Sequence, residues 1–581
     1  MEQNTKLVKV FKLLESNKAK QALTSVKKLN ANKSTKTYYS LIAEALCHIE
    51  LNNISFGNSQ LNELIQYANS EATLDFVCQN IYHAFRKINR FELAVEYLLF
   101  GLERIRSEKA IKIKWLLANC YLETGENKKA INLYKKLMVY KPYTVRSLKN
   151  LIAIGVTLSD FSFVQHHLRL MQGHIEQLNV DDLKLLIDRC ELFLDDDIEP
   201  LLRVASSRGV NNSFILYMRA RSVFKSGDAS KTLTILQKIE PQHIDTFHLK
   251  LGFLSLKGKS YLALDDIDNA FSCFEQMNNQ MASTFPDNWK SRDYLPKLRK
   301  LGSIPQRGPS KPFSFKLCFL VGFPRSGTTL LEHVLDSHSQ VFALGEKVTI
   351  DAVIDKIIKD GYQYPEDLPK LSDDYLDELR QHYVDNISKY LGDSELSDYE
   401  VVLDKNPQLL MKLPLILMLF PDARILLAIR HPLDCIISCF QQNFHFRRNL
   451  AYFTDWESSF VRYRDVFDNY MIYRQQWQWN EHRVFYEQLT QNFEEQIGQI
   501  FEFLGIEMQR DEIMQYSQKS QKKIITTPSI NQVKKGIYSN RSFNWEKHVN
   551  YIAPYWHEVK HHIEYFGYST YQIEESIENS M

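Results

Sequence analysis

The chain has 581 residues, 44% hydrophobic and 24% charged, and its 71 Lys and Arg against 70 Asp and Glu leave a formal net charge of +1. Such a length and composition suit two or more globular domains with cores of their own. The near-neutral balance excludes a global field that would gather nucleic acid, though not a local basic site. The eight cysteines are scattered without a CxxC pair, and Cys435 and Cys439 stand four apart in a helical stretch as packing residues, which suits a reducing compartment. The first thirty residues are Lys-rich and amphipathic without an apolar signal core, and no uninterrupted apolar run is long enough to span a bilayer. The expectation is a cytoplasmic protein without a membrane or nucleic-acid partner.

From about residue 5 to 290 the periodicity predicts helix after helix. Helical pairs with a small residue in the second helix recur. In the stretch 114–142, Leu117, Ala118, Tyr121, Gly125, Ala130, Tyr134, Leu137 and Pro142 fall at the spacing of a packed helical hairpin: the alanines permit close approach, and the tyrosines fill the gaps. Weaker copies carry Ile81, Tyr82, Phe85, Ala94 and Leu98, then Ala220, Val223, Gly227, Thr232, Leu236 and Ile239, then Gly258, Tyr261, Ala270, Phe274 and Met277. Residues 143–210 are helical but too degenerate to phase. The region resembles a tetratricopeptide (TPR) solenoid. That resemblance implies a concave surface for a protein or peptide partner, and a structural or homodimerising array stands equally open. Gly, Pro and Ser then crowd residues 302–312, where neither helix nor strand is favoured. The expected division is a helical repeat domain at 1–300, a linker at 301–312 and a second domain at 313–581.

The second half is organised around Gly322–Glu332, GFPRSGTTLLE, which comes after an apolar β-rich run, Phe315–Val321, and precedes a helical pattern at Leu330, Leu331, Val334 and Leu335. A buried strand, a glycine loop and a helix in that order aim successive N–H groups at an anion. Gly322, Gly327 and Thr329 keep the spacing of the phosphate-binding pattern G-x-x-x-x-G-K-[ST], but Thr328 stands at the lysine position and the positive charge moves to Arg325. Loss of that lysine argues against nucleoside triphosphate hydrolysis, not against binding an anionic group. The loop resembles the 5′-phosphosulfate loop of sulfotransferases that use 3′-phosphoadenosine 5′-phosphosulfate (PAPS). The resemblance makes Arg325, Ser326, Gly327, Thr328 and Thr329 its binding residues.

Further strands are predicted at Val341–Leu344, Tyr399–Leu403, Arg424–Ile429 and Arg483–Tyr486, alternating with helices at Leu409–Leu419, Leu433–Phe440 and up to Leu504, while residues 351–395 form an acidic helical insertion. The alternation implies a three-layer α/β domain with a parallel sheet, and ligands then bind at the carboxyl ends of its strands. Arg325, Glu346, Lys405 and Arg430 each lie at or just beyond such an end. Four distant segments thus bring one Glu, one Lys and two Arg to one edge.

Residues 404–444 resemble the central segment of TPR-linked sulfotransferases and tyrosylprotein sulfotransferases. The resemblance implies that Arg430 and Ser438 hold the 3′-phosphate of PAPS and that Lys405 faces the transferring group. The resemblance implies a glutamate base after the second strand, and Glu346, in Gly345-Glu346-Lys347, takes that place with one residue more before the glycine; no histidine stands shortly after Lys405. The stretch 526–545 resembles the family's cofactor-closing segment through Ser529 and Gln532, and Lys534 and Lys535 add charge near the phosphates. The implied reaction is metal-free, in-line transfer of a sulfuryl group to a hydroxyl, with Glu346, Arg325 and Lys405 catalytic. The glutamate base and the helical array lean towards a tyrosine of a protein or peptide. A metal-dependent nucleotide kinase on the same loop and a catalytically inactive TPR scaffold are the rival readings.

Overall fold

The computed structural model of the protein describes residues 2–578 except 17, 32–36, 52, 69, 89, 195, 245, 286–293, 302–312, 392–393, 445–447 and 517–542. The linker and the segment carrying Ser529, Gln532, Lys534 and Lys535 therefore lie outside the described residues. Two compact units divide the chain, Met1–Leu178 and Asn179–Met581.

In the first unit helices succeed one another from Glu2–Glu15 to Phe161–Gln172. The hairpin of Lys109–Glu123 and Asn127–Leu137 shows why. Ala118 and Ala130 are fully buried where the two helices meet their neighbours. Tyr134 packs its ring edge-on to Trp115 and donates its hydroxyl hydrogen to Asn119 Oδ1 at 2.7 Å, so a large side chain is buried without stranding a polar atom. Residues 143–210, unphased by periodicity, fold mainly as the helices Lys141–Leu158, Phe161–Gln172, Val180–Phe193 and Glu199–Ser207.

The second unit begins at Asn179, so the compact division does not fall at residues 301–312. Its helices from Asn212–Lys225 to Ile267–Ala282 share a core with elements much later in the chain. Phe271 stacks on Phe440 and Tyr551, at centroid distances of 6.2 and 4.3 Å, and buried Asn278 Nδ2 donates to Phe440 O at 3.0 Å. The sequence places its boundary at 301–312 on Gly, Pro and Ser density, and hydrophobic periodicity marks which residues are buried, not which partner buries them.

Five parallel strands form the sheet of this unit: β1 Lys316–Gly322, β2 Val341–Ala343, β3 Val401–Lys405, β4 Arg424–Ile429 and β5 Asn480–Phe485, in the spatial order β2-β3-β1-β4-β5. Side chains alternate along β1. Cys318 and Leu320 join Leu331, Val334, Ile497 and Phe501 on one face, while Phe319 and Val321 join Leu433, Ile436, Tyr463 and Phe467 on the other. Both faces are covered by helices, which is the three-layer arrangement expected. The insertion between β2 and β3 holds the helices Ile350–Lys359 and Asp373–Ser388, and Tyr383 of the latter packs against Phe319 and Phe420. β3 runs two residues further than its expected end. Lys405 therefore closes the strand, and Asp404 and Lys405 point to opposite faces. A 3₁₀ turn, Pro407–Lys412, precedes the helix Leu413–Leu419 where one helix from Leu409 was expected.

Candidate active site

The turn after β1 is shaped by close approach. A Cβ on Gly322 would lie 2.6 Å from Ala428 O of β4, and one on Gly327 would lie 2.8 Å from Tyr486 Cδ2. Gly327 has φ +99°, and Arg325 adopts φ +73°, a conformation that L residues seldom take. The helix Thr328–Leu335 begins at once, with Thr328 and Thr329 buried in its first turn. Alternation of left- and right-handed residues at a helix N-terminus makes an anion-binding concavity. Within it Ser326 Oγ is buried without a hydrogen-bond partner among the described residues.

Two groups of side chains flank this loop. On the β4 side, Arg325 Nε donates to Ser438 Oγ at 2.9 Å, and Arg430 donates to Arg325 O at 3.4 Å. Arg430 is held at the strand end by Asp434 at 3.3 Å and lies over the Tyr486 ring at 4.8 Å from its centroid. Asp434 accepts the Trp545 N–H at 2.9 Å, and burial pushes its carboxyl up to about 6 even though Arg430 and that N–H favour the charged form. Burial, reinforced by the Arg430 charge, lowers the neighbouring His431 to about 3, so it is neutral in its stack on Trp545.

On the β3 side, Lys405 is 1% exposed. Its Nζ lies 2.9 Å from Glu332 Oε2 and 3.1 Å from Glu346 Oε1. Burial by itself would lower the Lys405 pKa, but the two carboxylates outweigh it and raise it above the ordinary lysine value. Asp404 takes no part in this group. On the other face it accepts the Tyr383 hydroxyl hydrogen at 2.9 Å. Beside the loop, a narrow slot is lined by residues that include Phe323, Pro407, Met411, Phe453, Arg462 and Val466.

The residues singled out in sequence are thus sorted. Arg325, Arg430 and Ser438 come together, as do Lys405 and Glu346. Arg325 stands with Ser438 and Arg430. Glu332 has no role in the reading of the sequence. Glu332 left one signal: it is a carboxylate in a helix whose residues from Thr328 to Leu335 are nearly all buried, and such a group requires a cation. Among the described residues no group of three or more His, Cys, Asp or Glu is arranged to hold a metal ion.

A parallel sheet in this strand order, with a glycine loop at the carboxyl end of its central strand, defines an α/β anion-binding fold. The sulfotransferase family model matches residues 318–510, about a third of the chain. An uncharacterized protein of Aquifex aeolicus is 27% identical over 312 residues, 50% of this chain and 38% of that protein. The nodulation protein NoeE of Sinorhizobium fredii is 29% identical over 122 residues, 20% of this chain and 29% of that one. The chain thus spans well under half the length of either curated relative. Among solved structures, the sulfotransferase domain from the Synechococcus PCC 7002 olefin synthase is 19% identical, covering 41% of this chain and 91% of that one at a TM-score of 0.29. That from the curacin biosynthetic pathway is 16% identical, covering 45% and 99%, also at a TM-score of 0.29.

Proposed function

We propose that the protein transfers a sulfuryl group from PAPS to an acceptor hydroxyl, and that the acceptor is a tyrosine of a protein or peptide. The observation that carries this reading is the buried Lys405, bracketed by carboxylates at the same sheet edge as a glycine loop that lacks the lysine of nucleoside triphosphatases. The residues present suit the donor. The loop N–H groups and the unpartnered Ser326 hydroxyl suit its 5′ anionic end, and Arg430 and Ser438, each in contact with Arg325, suit its 3′-phosphate. Ser529, Lys534 and Lys535 are proposed to add contacts to it.

Glu346 takes the acceptor proton. A tyrosine hydroxyl has a pKa of about 10 and is mostly protonated at neutral pH, so a base assists it. Lys405 and Arg325 place positive charge where the bridging oxygen gains negative charge as its bond to sulfur breaks. Asn406, Pro407 and Gln408 come directly after Lys405 with no histidine, which supports Glu346 as the base. The helical succession of the first unit supports a protein acceptor held by a TPR-like surface.

Incubation with radiolabelled PAPS and a cell lysate, followed by separation of protein from small-molecule label, tests the reading. Label is expected on protein, in acid-labile tyrosine ester. Label on small molecules alone would overturn the acceptor, and magnesium-dependent ATP turnover with no transfer from PAPS would overturn the reaction.

A further inference from the structure

Lys405 carries two carboxylates where charge balance asks for one. They are mounted differently. Glu332 belongs to the helix Thr328–Leu335 that grows directly out of the anion loop, and its side chain is 11% exposed. Glu346 belongs to the turn after β2, with 17% exposed. Glu332 also reaches that turn: a Cβ on Gly345, which has φ +69°, would lie 3.3 Å from Glu332 Oε1. One side chain therefore touches both the lysine and the glycine that precedes the base. Lys347 adds a further positive charge that acts on Glu332.

We propose that Glu332 is a positioning residue, which keeps Lys405 charged and seats the Gly345–Glu346 turn, so that Glu346 can exchange its contact with Lys405 for the acceptor's proton. The inference rests on the sulfuryl-transfer reading and gives the two carboxylates separate tasks. When the acceptor oxygen forms its bond to sulfur, its proton passes to Glu346. The bond from sulfur to the 5′-phosphate oxygen breaks, and its electron pair leaves with that oxygen. Glu346 is then neutral, and Glu332 is the remaining carboxylate against Lys405 as the ammonium faces the leaving oxygen. Without Glu332, no carboxylate of the chain stays ionised beside that buried ammonium, which favours loss of its proton.

Glu332 and Glu346 are the titratable groups seen against Lys405, and both raise its pKa, so removing one lowers it. The full chain carrying Glu332→Gln is compared with the wild type in two measurements. Calorimetric binding of 3′-phosphoadenosine 5′-phosphate is followed from pH 6 to 10, and transfer from radiolabelled PAPS to an acidic tyrosine peptide is followed over the same range. At pH 7 the nucleotide affinity of the variant is expected to stay within about threefold while kcat falls at least about tenfold. The alkaline limb of both profiles is expected to move down by about one pH unit. Glu332→Asp is expected to restore part of that displacement. Should Glu332→Gln not fold, Glu332→Asp, which keeps the charge on a shorter side chain, is read alone: a lower kcat with a smaller downward displacement of the alkaline limb is expected, and wild-type kcat with an unmoved limb overturns the inference.

A Glu332→Gln enzyme with wild-type kcat and an unmoved alkaline limb overturns the inference and leaves sulfuryl transfer standing. A wild-type chain that does not bind the nucleotide overturns both.

Discussion

Asp404 offers a quantitative test of how the sheet is built. Its carboxyl is fully buried, and burial pushes it from an ordinary 3.8 up to about 6, although hydrogen bonds from Thr349 and Tyr383 favour the charged form. A carboxyl whose pKa is raised on folding favours the folded state while protonated. Its contribution is fully present below about pH 4 and is lost as pH rises through about 6. Above that, the buried charge costs roughly two units of pKa, about 3 kcal/mol at 1.36 kcal/mol per unit. Asp404→Asn removes this cost and keeps an acceptor for the Tyr383 hydroxyl. Unfolding of the unit Asn179–Met581, about 400 residues, carries an entropy of roughly 0.8 kcal/mol/K, so the gain corresponds to about 3–4 °C. Differential scanning calorimetry at pH 7.5 and pH 4 is the assay. The expected result is a higher Tm for the variant at pH 7.5 and no difference at pH 4. A variant less stable at pH 7.5, or displaced equally at both pH values, would refute the reasoning.

Three further outcomes are expected. Arg430→Ala should weaken binding of 3′-phosphoadenosine 5′-phosphate by about 10- to 100-fold, the loss of a charge-assisted contact of about 1.5–3 kcal/mol, with much less effect on an analogue lacking the 3′-phosphate; calorimetry reads both. Glu346→Ala should lower turnover by about 100-fold or more while nucleotide affinity survives, and unchanged turnover would remove Glu346 from the base role. Phe271→Ala should destabilise the second unit by about 3–5 kcal/mol in denaturant unfolding, because its ring is fully buried against Phe440 and Tyr551.

The loop, the succession of strands and helices after it, and the edge that gathers Arg325, Glu346, Lys405 and Arg430 were legible because each arises from local pattern: an apolar β run, glycines at fixed spacing, then a helix. The neighbours in space were less legible. Asp404 is the carboxylate next to Lys405 in sequence, yet the two-residue period of β3 sends them to opposite faces, and the lysine meets Glu332 and Glu346. Glu332 lies 73 positions from Lys405: a carboxylate in an apolar helix calls for a cation, but only the packing of that helix on β3 shows which one. Arg325 lies in the loop, but the partner its side chain meets there, Ser438, is 113 positions away, and local pattern does not show that contact. The unit boundary at Leu178 was hidden for a similar reason, since helical periodicity is the same whether a helix packs on another helix or on Phe440 and Trp456.

The most direct measurement is calorimetric titration of the full chain with 3′-phosphoadenosine 5′-phosphate, adenosine 5′-monophosphate and magnesium ATP. A site that grips two separate anionic ends, one on the Gly322–Thr329 loop and one at Arg430 and Ser438, binds the bisphosphate at least about 100-fold more tightly than either competitor. Equal affinity for the monophosphate, or a preference for magnesium ATP, would contradict it.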